Sequence, residues 1–233
     1  MSSDSSAEVA VERRVRVGVL SGGDELVAPG ARRRPDQVVD AAGPGVAAQV
    51  EAAGGTVAGI RTVPDRPAEV AEAVRGFLDA DGVDLLLTVG GVSVGPHDHL
   101  RSAFAAAGVE RVFWGVALRP GHPLWVGARG VQRVLGLPGN PVSAVVCCHV
   151  FARAALGHDA GWERHAPLAE PFHQTLARTQ LIRCRWVEGA LAPLARQQSN
   201  QATSLTEAQA LALIPPEAGE LPAGTPVRYQ ELH

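Results

Sequence analysis

The amino-acid sequence predicts an α/β protein: a doubly wound, mostly parallel sheet followed by a small all-β, barrel-like domain. From residue 15 to 156, apolar runs of strand length alternate with helical patterns, which is the order that a parallel sheet requires. After Gly157 the apolar runs become short and are broken by Pro and Gly, as in a small β barrel or sandwich. We therefore predict a flexible tail at 1–14, an α/β domain at 15–158 and a β domain at 159–233.

Strands are predicted from short apolar runs. Residues 15–20 alternate in polarity before a pair of glycines, and 56–60 form a second short run. Residues 84–89 are apolar almost without interruption, which is typical of a parallel strand covered on both faces. Further strands are predicted around 112–118 and at 131–137.

Helices are predicted between these strands. Residues 44–53 are rich in Ala and Val, and Pro44 suits the first turn of a helix. A second helix begins near Pro67, because the apolar residues that follow it share one helical face. Further helices are predicted at 98–107 and, after a turn at 138–141, through about residue 156.

The composition narrows the class of function. The chain has 24 acidic and 21 basic residues, which argues against a nucleic-acid partner that is bound by a basic surface. All of these basic residues are Arg. A catalytic or binding step that other proteins carry out with a lysine must therefore use another residue here.

The cysteines and the apolar runs indicate in which compartment of the cell the protein is found. Cys147, Cys148 and Cys184 form no Cys-x-x-Cys pair and are expected to be small buried hydrophobes of a reducing compartment. No apolar run reaches the ~18–20 residues that a membrane span needs, and the polar start of the chain does not resemble a signal peptide. We expect a cytoplasmic protein with no membrane partner.

Three glycine loops follow predicted strands, at residues 21–25, 90–95 and 137–141. In open α/β sheets, ligands bind where the carboxyl ends of the strands meet the amino ends of the helices. One such loop is an ordinary strand-to-helix turn, but three at the same sheet edge indicate an anion-binding rim. Asn140 precedes Pro141 and suits either ligand binding or a helix cap.

Five carboxylates occur near these loops: Asp24, Glu25, Asp40, Asp65 and Asp98. Such residues commonly serve only to solvate a surface, whereas several beside a phosphate-binding rim would suit Mg²⁺. The His97-Asp98-His99 sequence is a weak metal motif, because no third ligand accompanies it.

Four motifs follow one another in a fixed order: Leu-Ser-Gly-Gly-Asp-Glu-Leu at 20–26, Thr-Val-Gly-Gly-Val-Ser-Val-Gly at 88–95, Leu-Arg-Pro-Gly-His-Pro at 118–123 and Gly-Leu-Pro-Gly-Asn-Pro-Val-Ser at 136–143. In order and spacing they resemble the successive signatures of the MoeA/gephyrin family, whose members insert molybdenum into molybdopterin. Arg183 and the Gln-Ser-Asn stretch at 198–200 extend this resemblance into the C-terminal part. The resemblance implies a molybdopterin-binding type of α/β fold.

The resemblance also implies a role for each matching residue. The pterin and its nucleotide phosphates would be bound by residues of the second and fourth motifs: Gly90, Gly91, Ser93, Gly95, Gly139, Asn140 and Ser143. Mg²⁺ would be held near the phosphoanhydride by acidic residues: Asp24, Glu25, Asp65 and Asp98. Molybdate would face a set of polar and cationic residues: Arg119, His122, Arg183 and Ser199. The catalytic group would comprise Glu25, Asp65, Asp98 and Arg119.

The reaction implied is that of a molybdopterin molybdotransferase, a transferase of molybdenum cofactor biosynthesis. It takes adenylylated molybdopterin and molybdate and yields the cofactor and AMP. Arg119 and His122 stand at positions where the family has lysines, so molybdate affinity is expected to depend on pH through His122. Ala41 and Ala42 replace a polar pair that follows the family's Asp at the position of Asp40.

Family enzymes carry two further domains before the matching region, and one of these completes the active site across a dimer. We therefore expect a homodimer, in which a separate chain could supply the further domains. The first alternative to an enzyme is a non-catalytic module that binds molybdopterin or its cofactor, or half of a split enzyme. A second alternative is a nucleotide-acting protein of the competence-damage type, against which the C-terminal β domain argues.

Overall fold

The computed structural model describes most of the chain, namely residues 11–79, 82–91, 99–159, 161–198 and 202–232. Up to residue 137 its strands are β1 (Arg16–Gly22), β2 (Leu26–Val27), β3 (Val38–Val39), β4 (Thr56–Val63), β5 (Leu85–Val89), β6 (Glu110–Trp114), β7 (Leu118–Arg119), β8 (Trp125–Arg129) and β9 (Gln132–Leu137). Later strands are β10 (His165–Pro167), β11 (Phe172–Gln174), β12 (Thr179–Val187), β13 (Ala190–Pro193), β14 (Ala210–Ile214), β15 (Gly219–Leu221) and β16 (Pro226–Glu231).

The helices are α1 (Ala42–Ala52), α2 (Pro67–Leu78), α3 (His99–Ala106), α4 (Pro141–Cys147), α5 (Arg153–Ala155) and α6 (Ser204–Glu207). A π-helical turn, Cys148–Ala152, joins α4 to α5. None of the helices in the described ranges is long and apolar enough to cross a bilayer.

The first sheet has six strands in the order β4-β1-β5-β9-β8-β6. Its four strands β4, β1, β5 and β9 are parallel, which confirms the predicted doubly wound, mostly parallel architecture. All residues of β5 are buried, because helices cover both faces of the sheet at its centre.

Strand β8 was missing from the sequence prediction, and the strand predicted around 112–118 ends at Trp114. Strands β8 and β9 pair antiparallel through a tight turn that contains Gly130 and Val131. Strand β6 then pairs antiparallel with β8 at the edge of the sheet. A two-residue turn is enough to join antiparallel strands, so no helix separates them and the alternating pattern does not continue here.

Two hydrophobic layers cover the sheet. Helices α1 and α4 pack on one face, with Val46 and Cys147 in the same buried cluster as β1 and β5. Helices α2 and α3 pack on the other face, where Phe104 stacks at 4.6 Å from Trp125 of β8. This arrangement directs the amino ends of the helices to the carboxyl edge of the parallel strands.

The C-terminal strands form a second sheet in the order β10-β16-β14-β12-β13. Strand β7 belongs to the chain segment of the first sheet, but it pairs with β12 of the second. A separate ribbon of β11 and β15 lies beside this sheet. The β-rich architecture agrees with the prediction, and the pairing among the described residues follows an open path rather than a closed ring.

Candidate functional site

A cleft of about 420 Å³ lies at the carboxyl edge of the parallel strands. It is lined by residues from all three predicted glycine loops, from the stretch between β2 and the first residue of α1, from the segment after β4 and from the end of β5: Gly22, Gly23, Glu25, Leu26, Val38, Val39, Asp40, Ala41, Ala42, Asp65, Val89, Gly90, Gly91, Gly139 and Pro141. The structure therefore brings together loops that are far apart in sequence.

Two of the glycine loops touch each other through their backbones. A Cβ atom at Gly139 would lie 3.2 Å from the Cα atom of Gly90, and the Gly90 amide donates to Leu137 O at 3.1 Å. Gly90 has a φ of +82°, a conformation that side-chain-bearing residues rarely adopt. Bare backbone therefore forms this wall of the cleft, and a ligand can approach its polar groups closely.

Three of the predicted carboxylates lie close together at one end of the cleft. Glu25 and Asp65 line it, and Asp24 Oδ1 accepts a hydrogen bond of 3.0 Å from the Asp65 amide. Burial raises the pKa of Asp65, and the charges of Asp24 and Glu25 raise it further. Because negative charge is crowded here, a bound cation would stabilise the ionised form of Asp65.

The donor set fits a magnesium ion only in part. No group of three or more His, Cys, Asp or Glu side chains in the described ranges is arranged to hold a metal. Mg²⁺ is commonly bound by one or two carboxylates, with phosphates and waters as its other ligands. Glu25 and Asp65 would supply those carboxylates, and the ligand would have to supply the rest.

Asp40 has a structural role at the cleft wall. Its side chain is 2 % exposed, and Oδ1 accepts hydrogen bonds from the amides of Ala42 at 3.0 Å and Gly43 at 2.9 Å. Thr62 Oγ1 donates to Oδ2 at 3.3 Å. Asp40 therefore satisfies free amides at the start of α1, as N-terminal capping residues do.

Asn140 immediately precedes α4, where the sequence left open a ligand-binding or a capping role. Its side chain makes no capping hydrogen bond to α4. Its amide oxygen is buried and has no hydrogen-bond partner among the described residues. A buried acceptor without a partner is costly, so the observed geometry favours the ligand-binding role. Ser143, which was also predicted to bind, is buried in the first turn of α4.

Arg119 and His122 are exposed and lie between β6 and β8, Arg119 as the last residue of β7 and His122 in the loop that follows it. His122 Nδ1 is 3.0 Å from Val116 O, and the Val116 amide donates to His122 O at 3.0 Å. A carbonyl can only accept, so Nδ1 carries the proton and the free Nε2 is the atom that can meet a ligand. The ring also lies 6.2 Å from Trp114.

Arg183 was predicted to face molybdate, and the structure places it in the interior of the second sheet, 1 % exposed. One guanidinium nitrogen donates to Arg196 O at 2.9 Å and to Gln198 O at 3.3 Å. Burial lowers its pKa, and Nε has no partner within the described ranges. The guanidinium thus holds the backbone directly before Ser199.

Several predicted residues lie outside the described ranges: Ser93, Gly95, His97, Asp98 and Ser199. Most of the predicted flexible tail, residues 1–10, also lies outside them. Their proposed roles remain predictions from the sequence.

The sequence reasoning missed the apolar wall of the cleft. Val38 and Val39 are 48 % and 45 % exposed, and they line the cleft together with Leu26. The Val38 amide donates to Glu25 O at 2.7 Å, which fixes this wall beside the first glycine loop. The sequence feature that could have predicted this wall is the apolar pair Val38 and Val39 within an otherwise polar segment.

Comparison with known proteins gives matches over nearly the whole chain. Residues 18–158 match the family described as a probable molybdopterin binding domain. Residues 165–232 match the MoeA C-terminal region, domain IV.

Two relatives illustrate the extent of the similarity. The chain is 32 % identical over 234 residues to a molybdopterin molybdenumtransferase of Synechococcus elongatus, which covers 97 % of this chain and 57 % of the relative. It is 32 % identical over 243 residues to molybdopterin molybdenumtransferase 2 of Mycobacterium tuberculosis, which covers 97 % of this chain and 58 % of the relative. The chain thus spans less than two thirds of the length of either relative.

Solved structures support the fold. The molybdopterin biosynthesis MoeA protein from Pyrococcus horikosii superposes with a TM-score of 0.77 at 23 % identity, over 95 % of this chain and 55 % of that protein. A molybdenum cofactor biosynthesis protein from Pyrococcus furiosus gives a TM-score of 0.69 at 21 % identity, over 94 % of this chain and 68 % of that protein.

Proposed function

We propose that this chain, which belongs to the molybdopterin-binding domain family and carries the MoeA C-terminal region, acts in molybdenum cofactor biosynthesis by binding molybdopterin in the cleft at its parallel sheet edge. One observation carries the proposal: the three glycine loops, two carboxylates and an unpartnered amide oxygen meet at that edge. Backbone amides at such an edge are suited to phosphate groups.

The proposed reaction is the insertion of molybdate into adenylylated molybdopterin, with release of AMP. Backbone amides around Gly90 and Gly139 would bind phosphate, and Asn140 and Ser143 would orient the pterin. Glu25 and Asp65, with Asp24 beside them and with Asp98, whose role is predicted from the sequence alone, would hold Mg²⁺. When bound, the ion would neutralise charge on the leaving phosphate.

Molybdate would be held by the exposed loop that carries Arg119 and His122. The Arg119 guanidinium can bind an oxyanion through two parallel hydrogen bonds. His122 would present Nε2, which donates to the anion only when the ring is protonated. Arg183 would keep the segment before Ser199 in place, so that the Ser199 hydroxyl can complete the anion site.

We further propose a cytoplasmic location, which three buried free cysteines fit. A homodimer, or a separate chain that supplies the domains found in longer relatives, would complete the active site.

A second candidate function is a binding module without turnover. It is favoured by one observation, namely that Arg183, which was predicted to face molybdate, is buried in the second sheet. Such a module would keep the cleft and its affinity for molybdopterin but would release no AMP.

An AMP-release assay separates the two candidates. Purified protein is incubated with adenylylated molybdopterin, molybdate and Mg²⁺, and AMP is quantified over time. We expect release that depends on molybdate. Tight binding of the pterin with no release of AMP, even with any partner chain supplied, would contradict catalysis and favour the binding module.

A further inference from the structure

The segment of residues 116–122 carries Arg119 and His122, and the two side chains are held in different ways: Arg119 belongs to β7, which pairs with β12 at Thr179 and Gln180, whereas His122 follows this strand after Pro120 and Gly121. Val116 and His122 bond to each other across its base, and Ala117 O accepts from the Thr179 amide at 3.0 Å. Arg119 and His122 are exposed, whereas Gly121 is buried. The position of Gly121 therefore bears mainly on the part of the segment after β7, which carries His122.

Gly121 rests on a cysteine of helix α4. A Cβ atom at Gly121 would lie 2.9 Å from Cys147 Sγ, which is closer than side-chain carbons pack in proteins. Gly121 also has a φ of +125°, so no other residue fits this contact without strain. Cys147 is fully buried within the cluster that covers β1 and β5, so its sulfur cannot move away.

Helix α4 connects this contact to the cleft. It begins at Pro141, which lines the cleft directly after the glycine loop with Gly139, and it ends at Cys147. A helix is a stiff spacer, so the distance between the two ends stays constant. The thiol of Cys147 has a pKa raised by burial to about 12, so it stays protonated and acts only through its packing.

We propose that Cys147 is a positioning residue, whose sulfur supports Gly121 and thereby holds His122 at a fixed distance from Arg119, which the pairing of β7 with β12 anchors. This proposal rests on the proposed function, in which those two side chains bind molybdate. A smaller side chain at position 147 would let Gly121 and His122 sink and fluctuate, and the two molybdate ligands would no longer be held in a fixed arrangement. The nucleotide end of the cleft would be unaffected, because it does not touch the loop.

The adjacent cysteine provides a matched control. Cys148 is also buried, but its sulfur faces Val46 O of α1 at 3.9 Å rather than the loop. Cys148→Ala removes the same kind of atom from the adjoining π-helical turn and leaves Gly121 supported. Cys147→Ser is the conservative variant, because it keeps an atom of similar size beneath the loop.

The test compares Cys147→Ala, Cys147→Ser and Cys148→Ala with the wild type, using two ligands in calorimetric titrations. The affinity for molybdate reports on the loop, and the affinity for AMP in the presence of Mg²⁺ reports on the cleft. We expect Cys147→Ala to bind molybdate about tenfold more weakly, with AMP affinity within about twofold of wild type. Cys147→Ser and Cys148→Ala should bind both ligands within about threefold of wild type.

Hydrogen exchange of the Val116 amide gives a readout that needs no ligand. The Val116 amide proton should exchange about tenfold faster in Cys147→Ala than in Cys148→Ala, because the hydrogen bond from this amide to His122 O depends on the position of the loop. Equal exchange rates in these two variants would overturn the positioning role. An equal loss of affinity for molybdate and for AMP in Cys147→Ala would also overturn it. If the wild type binds no molybdate, the proposed anion site fails, and exchange alone then decides the role of Cys147.

Discussion

Asp65 is partly buried, which raises its pKa, and the nearby charges of Asp24 and Glu25 raise this pKa further. An acid whose pKa is raised on folding favours the folded state below its unfolded pKa of about 3.9, and this contribution is lost as the pH rises through the folded value. At neutral pH the ionised carboxylate therefore destabilises the fold. Functional sites commonly contain ionisable residues whose charged form lowers the stability of the fold.

We therefore predict that Asp65→Asn unfolds at a higher temperature than the wild type at pH 7, and that the difference disappears toward pH 4. Mg²⁺ should raise the unfolding temperature of the wild type more than that of the variant, because the ion relieves the same repulsion. Thermal unfolding followed by circular dichroism measures both effects.

Asp36→Asn is the control for this prediction. Asp36 is an exposed carboxylate whose pKa is lowered by hydrogen bonds from its own backbone and from Arg34. Its replacement should leave the unfolding temperature at pH 7 unchanged or slightly lower. Equal stabilisation by both variants would point to net charge rather than to the carboxylate cluster.

Asp98 remains a prediction from the sequence, since it lies outside the described residues. We expect Asp98→Asn to abolish AMP release and to leave the far-ultraviolet circular dichroism spectrum unchanged. Unchanged AMP release would remove Asp98 from the site.

Single residues also show which features of the site could not be predicted from the sequence. Asp40 belongs to the group of carboxylates near the glycine loops, but its role in capping α1 depends on backbone geometry that residue type does not specify. Arg183 looks like any exposed cation in sequence. Its burial depends on carbonyl groups at 196 and 198, which reach it only when the second sheet has formed.

At the scale of elements, the glycine loops were the most predictable part of the site. Each follows an apolar strand, and parallel strands end at a common sheet edge, so their convergence follows from the topology. The β8–β9 hairpin was not predictable in the same way, because a short apolar run does not reveal the direction of its strand. The exposed wall at Val38 and Val39 was missed because β2 and β3 have only two residues each.

Helix α1 offers a test of element-level stability. Asp40→Ala should lower the free energy of unfolding by about 1 kcal/mol, within the ~0.5–2 kcal/mol range of lost helix caps. Asp40→Asn keeps an acceptor oxygen and should lose less than Asp40→Ala. Urea denaturation measures both, and an equal loss in the two variants would contradict the capping role.

At the scale of the whole molecule, the two sheets share a hydrophobic cluster. Val142 and Val146 of α4 pack in the same cluster as Leu181 and Leu211 of the second sheet. Strand β7 adds backbone pairing between the two parts at Leu118 and Thr179. The family assignment made from four motifs and two C-terminal features is confirmed over both parts of the chain.

This shared cluster predicts that the chain unfolds in one cooperative transition. Leu181→Ala should lower the free energy of unfolding by about 2–5 kcal/mol, as is usual for a buried leucine, and the transition should stay single. Leu191→Ala, in a cluster confined to the second sheet, is the matched control. Two separate transitions in the wild type would show that the sheets are not coupled.

The most direct test of the account is whether adenylylated molybdopterin binds in the cleft. Gly139→Ala places a methyl group 3.2 Å from the Gly90 Cα atom and pushes the two loops apart, whereas Gly59→Ala on edge strand β4 meets Phe77 at an ordinary 3.5 Å. Titration followed by calorimetry should show saturable binding to the wild type and to Gly59→Ala, and binding at least about tenfold weaker to Gly139→Ala. Absence of saturable binding to the wild type, or equal affinity in Gly139→Ala, would contradict the account.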